Sequence, residues 1–461
     1  MRFPPGNAVL AILLTAFVAG VLVFGARQRM ASEPPPDLEF VMFALNHYDD
    51  YSAAIAEFER RHGVRIQMQL VNNQALQSRL QSALMSGTRM PDIVEIEASM
   101  FGALTQGPLE GIGFHDLTDR IRKDGLMEDF IDSRLAMWTR DGRIFGIPHD
   151  IHPVMLAYRA DILKEIGVDP AALDTWERFE AVAREHMVAD LTGNGVTDRY
   201  AIDFSLSGLP ELIDVLLPQA GVDVIDALGR PAFNREATVE LFAWFLRQTQ
   251  GPDRISFPAG WGQNLAKALS DGLILFLVAP DWRTHQIQTD NPRLAGSLKL
   301  MPLPAWEAGG RHTSTWGGSS LVIPKTARNP DLAWEFAKFL YLEKEFLPDR
   351  FRNTNIIPPA RSAWDEPFLD DVHPFWEQPI GRRYADLAED VPAVHPSPYR
   401  DYARNRLSTV FTRALRWARN NPGADPRDFI RAELTAAEAD VWRRLDRNVF
   451  LAPPQGEAEQ R

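Results

Sequence analysis

The sequence predicts an α/β protein built on parallel sheet, and three observations carry that prediction. Strand-like and helix-like patterns alternate from residue 38 to residue 96. The alternation restarts beyond residue 153. The run Leu273-Ile274-Leu275-Phe276-Leu277 is short, apolar and unbroken, as a strand buried on both faces should be. At 461 residues the chain exceeds one compact core, and length alone predicts about two to three domains.

Taken in order, Leu38-Glu39-Phe40-Val41-Met42-Phe43 reads as the first strand. Asn46-His47-Tyr48 reads as a loop, with Asp49 or Asp50 capping the helix that follows. That helix places Tyr51, Ile55 and Phe58 on one face and stops at Gly63. Val64, Ile66, Met68 and Leu70 alternate as a half-buried strand, and Leu76, Leu80 and Leu84 mark a second helix ending at Gly87. Residues 91–96 form a third strand, and such an order of elements gives a parallel sheet. Ligands of these sheets bind beyond the carboxyl ends of the strands, here the loops holding Asn46-His47-Tyr48 and Glu95-Ile96-Glu97.

Further strands are expected at 144–148, 154–158, 200–204, 273–277 and 321–323. Helices are expected at 160–166, 175–188, 212–217, 236–248 and 330–342, the last with Leu332, Phe336 and Phe339 inward. Nine prolines between 348 and 398 predict extended loops, and two amphipathic helices near 400–418 and 426–446 close the chain.

Composition narrows the function. Hydrophobic content of 45% and charged content of 24% are those of a globular protein. A formal charge of −13 argues against a nucleic-acid surface, which needs clustered Lys and Arg. Residues 8–26 carry no charge and are flanked by Arg2, Arg27 and Arg29, so this run reads as an export signal or an uncleaved membrane anchor. The chain has no cysteine, which excludes disulfides, thiolate metal sites, Cys nucleophiles and a lipid-modified cysteine. No Walker loop, Gly-x-Ser-x-Gly elbow, His-Glu-x-x-His or GxGxxG after a strand is present, and no cofactor is implied.

Four stretches carry a family resemblance. They are the Pro-Asp-apolar strand at 91–96, the strand-helix-Gly-helix run at 154–179, the Asp/Gly/Asn-rich insertion DLTGNGVTDRY at 190–200, and TWGGSSLVIPKTARNPDLAWEFAKFL at 315–340. In this order they resemble the extracellular solute-binding proteins of ABC importers, family 1, which take up oligosaccharides, glycerol phosphates and similar solutes. The resemblance spans about 38–345. It departs at Arg159, where the family usually has Asn, and in the missing lipid-anchoring Cys. It implies a two-lobe periplasmic-binding fold of type II with the ligand cleft between the lobes. One lobe is expected at 38–148 plus 302–346, the other at 149–301 plus 347–450. The implied protein is a monomer in the periplasm or on the extracytoplasmic face of the cell membrane, delivering a small polar solute, a sugar above all, to an ABC permease.

Candidate cleft residues follow from both readings. Trp282 follows a buried strand, matches the position of the family's cleft Trp, and can stack on the apolar face of a sugar ring. Trp316-Gly317 opens a strand where glycine lets backbone approach a ligand. Glu95, Glu97 and Asp150 are carboxylates able to accept hydrogen bonds from hydroxyls. Asn46, His47, Glu95 and Trp316 are expected from the first lobe, and Asp150 and Trp282 from the second. His149-Asp150-Ile151-His152 invites a metal reading, but no further ligand with matching spacing stands nearby. Asp190, Thr192, Asn194, Gly195 and Asp198 match calcium-loop positions, yet Ala201 replaces the bidentate carboxylate, which leaves a side-chain-bonded turn as the first reading and calcium as the second. The rival functions are an envelope glycosidase using paired carboxylates and a sensor subunit presenting ligand to a receptor.

Overall fold

The computed structural model describes residues 35–447, together with 14–15 and 17–19. The charge-free run at 8–26 therefore lies outside the described residues apart from those five positions. No helix among the described residues is long and apolar enough to cross a membrane.

The strands in chain order are β1 (Leu38–Met42), β2 (Ile66–Leu70), β3 (Ile93–Glu97), β4 (Thr139–Arg140), β5 (Arg143–Ile144) and β6 (Ile147–Pro148). They continue with β7 (Val154–Arg159), β8 (Tyr200–Asp203), β9 (Ser256–Phe257), β10 (Ile274–Pro280), β11 (Leu298–Pro302) and β12 (Ser319–Val322). Two five-stranded sheets result, ordered β2-β1-β3-β12-β6 and β11-β7-β10-β8-β9, with β4-β5 a separate hairpin. Each sheet is the base of one lobe. The predicted parallel sheet is found only in part: β1 pairs in parallel with β2 and β3, but β12 joins β3 antiparallel and β7 joins β10 antiparallel. Periodicity marks strands but not their direction, which depends on how the chain returns across the sheet.

Burial follows side-chain parity. On β7, Val154, Leu156 and Tyr158 enter one core of the second lobe while Met155 and Ala157 enter the other. This explains its continuous apolar run, because both faces are covered. On β3, Val94 and Ile96 face one core of the first lobe, and Ile93 faces the core beneath the helices Leu45–His62 and Pro330–Leu342. The helices 400–420 and 427–446 pack with Glu236–Thr249 on the second lobe, burying Leu407, Phe411, Ile430 and Leu434.

Several expectations need correction. Asn46-His47-Tyr48 is not a loop: the helix begins at Leu45, without a capping side chain, so Asp49 and Asp50 lie inside it. The strand expected at 144–148 is split between the hairpin and β6. On helix Pro330–Leu342 the inward residues are Ala333, Trp334, Phe336, Ala337, Leu340 and Tyr341, while Leu332 and Phe339 are half-buried. The proline-rich 348–398 contains the helices Leu347–Thr354 and Ile380–Ala385 beside its loops. The 190–198 loop, by contrast, is the side-chain-bonded turn expected of it, held by its own carboxylates. Asp190 accepts from the backbone of Gly193, Asn194 and Gly195, and Asp198 accepts from that of Leu191 and Thr192.

Three segments link the two sheets. Residues 149–153 run from β6 to β7, and residues 303–318 return from β11 to β12. These two pair through Pro153 and Thr315. The third, 343–360, leaves helix Pro330–Leu342 of the first lobe for the 361–391 region packed on the second. Chain reversals of this kind put the strand ends of both sheets around one opening.

Candidate ligand-binding site

That opening is a cleft of about 620 Å³. Sheet one supplies the residues after β1, the end of β3 and the start of β12: Ala44, Asn46, His47, Glu97, Ser99 and Ser319. Sheet two supplies the residues after β8, β9 and β10, notably Ser207, Asp214, Trp261 and Trp282. The second linking segment adds Thr315, Trp316, Gly317 and Gly318. The hydroxyl of Thr315 has no hydrogen-bond partner among the described residues.

The apolar wall is a cluster of three indoles. Trp316 meets Trp261 edge to face at 5.8 Å and 70°, and Trp282 at 5.9 Å and 74°. Trp282 donates its Nε1–H to the Trp316 carbonyl at 2.9 Å. Its polar atom is thus satisfied internally, and its ring face is left for contact. Beneath the cluster lies Arg283, buried, with its guanidinium 4.3 Å from the Trp261 centroid and 5.4 Å from that of Trp316. Arg283 donates to the Val278 carbonyl at 2.7 Å. Burial pushes the carboxyls of Asp203 and Glu211 up, and Arg283 beside them opposes that rise. A cation behind electron-rich ring faces fixes their orientation.

Beside Trp282 and Gly317 runs a chain of charges. His152 stands in the first linking segment at φ +56° and donates Nδ1–H to Asp281 at 2.6 Å and Nε2–H to Asp150 at 3.0 Å. Burial alone would favour its neutral form, but these two carboxylates raise its pKa to about 9, so it is an imidazolium at neutral pH. Asp150 also pairs with Arg134, and accepts from the Ser319 amide at 3.0 Å and from His149 Nδ1 at 3.2 Å. Burial opposes its charge, yet His152 and Arg134 hold it well below the usual carboxylate range. Asp281 accepts as well from the amides of Trp282 at 2.7 Å and Ile357 at 2.8 Å. Arg134 also donates to the Gly317 carbonyl at 3.3 Å, so one ionic chain ties β12, the helix Asp281–Asp290 after β10 and the three linking segments together.

Asn46, His47, Trp282, Trp316 and Gly317 lie on the cleft wall. Glu95 and Asp150 are corrections. Neither is exposed, and neither lines the cleft. Glu95 shares the parity of Ile93 and lies under two helices. There it accepts from Tyr51 at 2.7 Å, Tyr341 at 2.8 Å and His47 Nδ1 at 2.9 Å. Burial would raise its pKa, but His47 and the hydrogen bonds keep it below the ordinary value. Glu97, two residues on, has passed the helices and reaches the cleft, where it accepts from Asn73. Both nitrogens of His152 are engaged by carboxylates, and burial, with His47 nearby, lowers the His149 pKa to about 4.

The sequence reading missed Trp261, which stands between Gly260 and Gly262 and is 44% exposed. The signal was available, because Trp316-Gly317 drew attention for the same pattern. It also missed Asp214, Arg400 and Arg404, whose place on the wall depends on how the closing helices dock.

A family model described as bacterial extracellular solute-binding protein matches residues 53–375. The arabinooligosaccharide-binding protein of Halalkalibacterium halodurans is 24% identical over 85% of this chain and 87% of its own length. The lactose-binding protein of Rhizobium radiobacter is 27% identical over 73% of this chain and 77% of its own. Among solved structures, the sugar-binding protein MalE from Xanthomonas citri shares the fold at a TM-score of 0.71 and 18% identity, covering 88% of this chain and 98% of that one. The relatives named are binding proteins.

Proposed function

The chain belongs to the bacterial extracellular solute-binding protein family, and from that premise we propose that it captures a neutral oligosaccharide outside the cytoplasmic membrane and presents it, uncleaved, to an ABC permease. The observation that carries this reading is the cluster formed by Trp261 and Trp282, beyond strands of the second sheet, with Trp316 of the second linking segment. Stiff aromatic faces bind the apolar faces of sugar rings at little entropic cost. Around them, Asn46, Glu97, Ser99 and Thr315 offer the donors and acceptors that hydroxyl groups need. Charged side chains on the wall balance: Glu97, Asp214 and Asp401 stand against His152, Arg400 and Arg404. That balance suits a neutral ligand.

A ligand that touches both walls favours the closed arrangement of lobes, because those contacts exist together only when the cleft is shut. Hydrolysis is disfavoured by the same geometry. A glycosidase needs two free carboxyl groups facing one bond, and two of the three carboxylates on the wall are already engaged, Glu97 by Asn73 and Asp214 by Arg404. The relatives named for arabinooligosaccharides and lactose support a carbohydrate ligand. The run at 8–26 serves as the export segment. With no cysteine to carry a lipid, it also tethers the protein wherever it stays uncleaved. The working form is a monomer.

Titration calorimetry with arabinotriose, lactose and maltotriose tests the ligand class, with chromatography of the recovered sugar after long incubation. Binding with intact sugar is expected. Cleaved sugar would overturn the capture reading, and no heat from any of the three would overturn the ligand class.

A further inference from the structure

The far end of the cleft is walled by residues of the C-terminal part, beyond the 53–375 span of the family match: Val394, His395, Pro396, Arg400, Asp401 and Arg404. This segment is fixed to both lobes. Its helix 400–420 buries Ala403, Leu407 and Phe411 in the core of the second lobe. Ahead of that helix, Val394 packs on the core of the first lobe. Ser397 lies against Gly102 of helix Ala98–Leu104, also in the first lobe.

The Gly102 contact is backbone against backbone. A Cβ built at Gly102 would stand 2.2 Å from the Ser397 carbonyl oxygen, 2.4 Å from its carbon and 2.9 Å from its nitrogen. No rotamer change relieves such a clash, so the strap would have to lift. The same carbonyl accepts the Arg400 amide at 3.1 Å, which places the first turn of the wall helix. Prolines 392, 396 and 398 limit how the segment can bend to compensate.

The Arg400 guanidinium has no hydrogen-bond partner among the described residues; the charges around it are those of Asp214, Arg404, Asp401 and Asp223, of which the first three line the cleft with it. Arg404 donates to Asp214 at 2.5 Å. Two guanidinium groups and two carboxylates make a face with donors and acceptors but no net charge, suited to adjacent hydroxyls.

We propose that residues 394–404 are the specificity-determining wall of the cleft, reading the hydroxyls of a terminal sugar through Arg400, and that Gly102 is the positioning residue that lets this wall seat on the first lobe. The ligand half of this proposal rests on the carbohydrate reading; the seat itself does not.

The test compares the wild type, Gly102→Ala and Arg400→Met. The chain has no cysteine, so spin labels on thiols introduced at the exposed positions Gln106 and Arg416 report the separation of the lobes by pulsed electron resonance. Calorimetry with arabinotriose and lactose reports affinity. Alanine is the better helix former, so a purely local effect of Gly102→Ala would leave the melting temperature equal or higher. We expect that temperature to fall as Val394 and Ser397 leave the first lobe, the short-distance population to be lost, and the better probe to bind about tenfold more weakly, as the binding-competent fraction drops. Arg400→Met should weaken binding by a similar factor without altering the distances. Wild-type distances in Gly102→Ala would overturn the seat, and unchanged affinity in Arg400→Met would overturn the reading of hydroxyls. If the distances respond as expected while the wild type binds neither sugar, the seat stands and the carbohydrate reading falls.

Discussion

His152→Asn isolates the charge at the centre of the linking segments. The backbone there is left-handed, at φ +56°, a conformation Asn tolerates better than most residues, so the variant removes the cation without new backbone strain. His152 is buried, and its pKa rises from 6.5 to about 9 on folding. That shift corresponds to about 3 kcal/mol of stability at neutral pH and below. The sign follows from the direction: the folded state binds the proton more tightly. The contribution is therefore complete below pH 6.5 and is lost as pH climbs through about 9.

Removing the cation leaves Asp150 and Asp281 buried near one another, and breaking such a pairing costs about 3–5 kcal/mol, in agreement with the first figure. For a chain this long unfolding as one unit, about 3 kcal/mol lowers the melting temperature by about 3–4 °C. Thermal unfolding followed by circular dichroism at pH 6.5 and at pH 10 measures it. Asp203 and Glu211, with raised pKa values, add a stability loss with rising pH in both proteins, so the difference between wild type and variant is the quantity to follow. That difference should be largest at pH 6.5 and nearly gone at pH 10. A variant as stable as wild type at pH 6.5, or a difference that does not shrink, would refute the charged-bridge account.

Other outcomes are expected from the same geometry. Trp282→Ala and Trp316→Ala should each weaken sugar binding by about 10- to 100-fold in calorimetry, the usual cost of losing an aromatic anchor in a pocket. Glu95→Gln should cost about 2–3 kcal/mol of stability in denaturant unfolding, because Tyr51, Tyr341 and His47 lose their common charged acceptor. Gly318→Ala should impair folding more than Gly317→Ala, because a Cβ at 318 meets Arg134 at 2.6 Å and Met137 at 2.8 Å whereas one at 317 finds nothing nearer than 3.5 Å; soluble yield and melting temperature decide it.

Much of the fold was legible because its cues are local. Gly63 and Gly87 end their helices in left-handed geometry where the pattern placed those ends. The run at 273–277 leads into and opens β10, which is buried on both faces. The site was less legible. Glu95 and Glu97 have the same type and parity, yet one is sealed and the other reaches the cleft. The difference lies in helices Leu45–His62 and Pro330–Leu342, the second of which arrives more than 230 residues later. Asp150 was singled out as a ligand acceptor because nothing near it in sequence announces Arg134 or Ser319 as its partners.

By itself the sequence determined the two α/β patterns, the strands buried on both faces, the aromatic candidates Trp282 and Trp316, and the exclusion of thiol chemistry. These rest on period, composition and residue type, which act over a few neighbouring residues. Tertiary structure alone decided the mixed strand directions, the sealing of Glu95 and Asp150, the placing of Trp261 and the docking of 394–404 against Gly102. Each depends on segments far apart in the chain meeting in space, and burial of a carboxylate or a clash at a missing Cβ has no counterpart in local pattern.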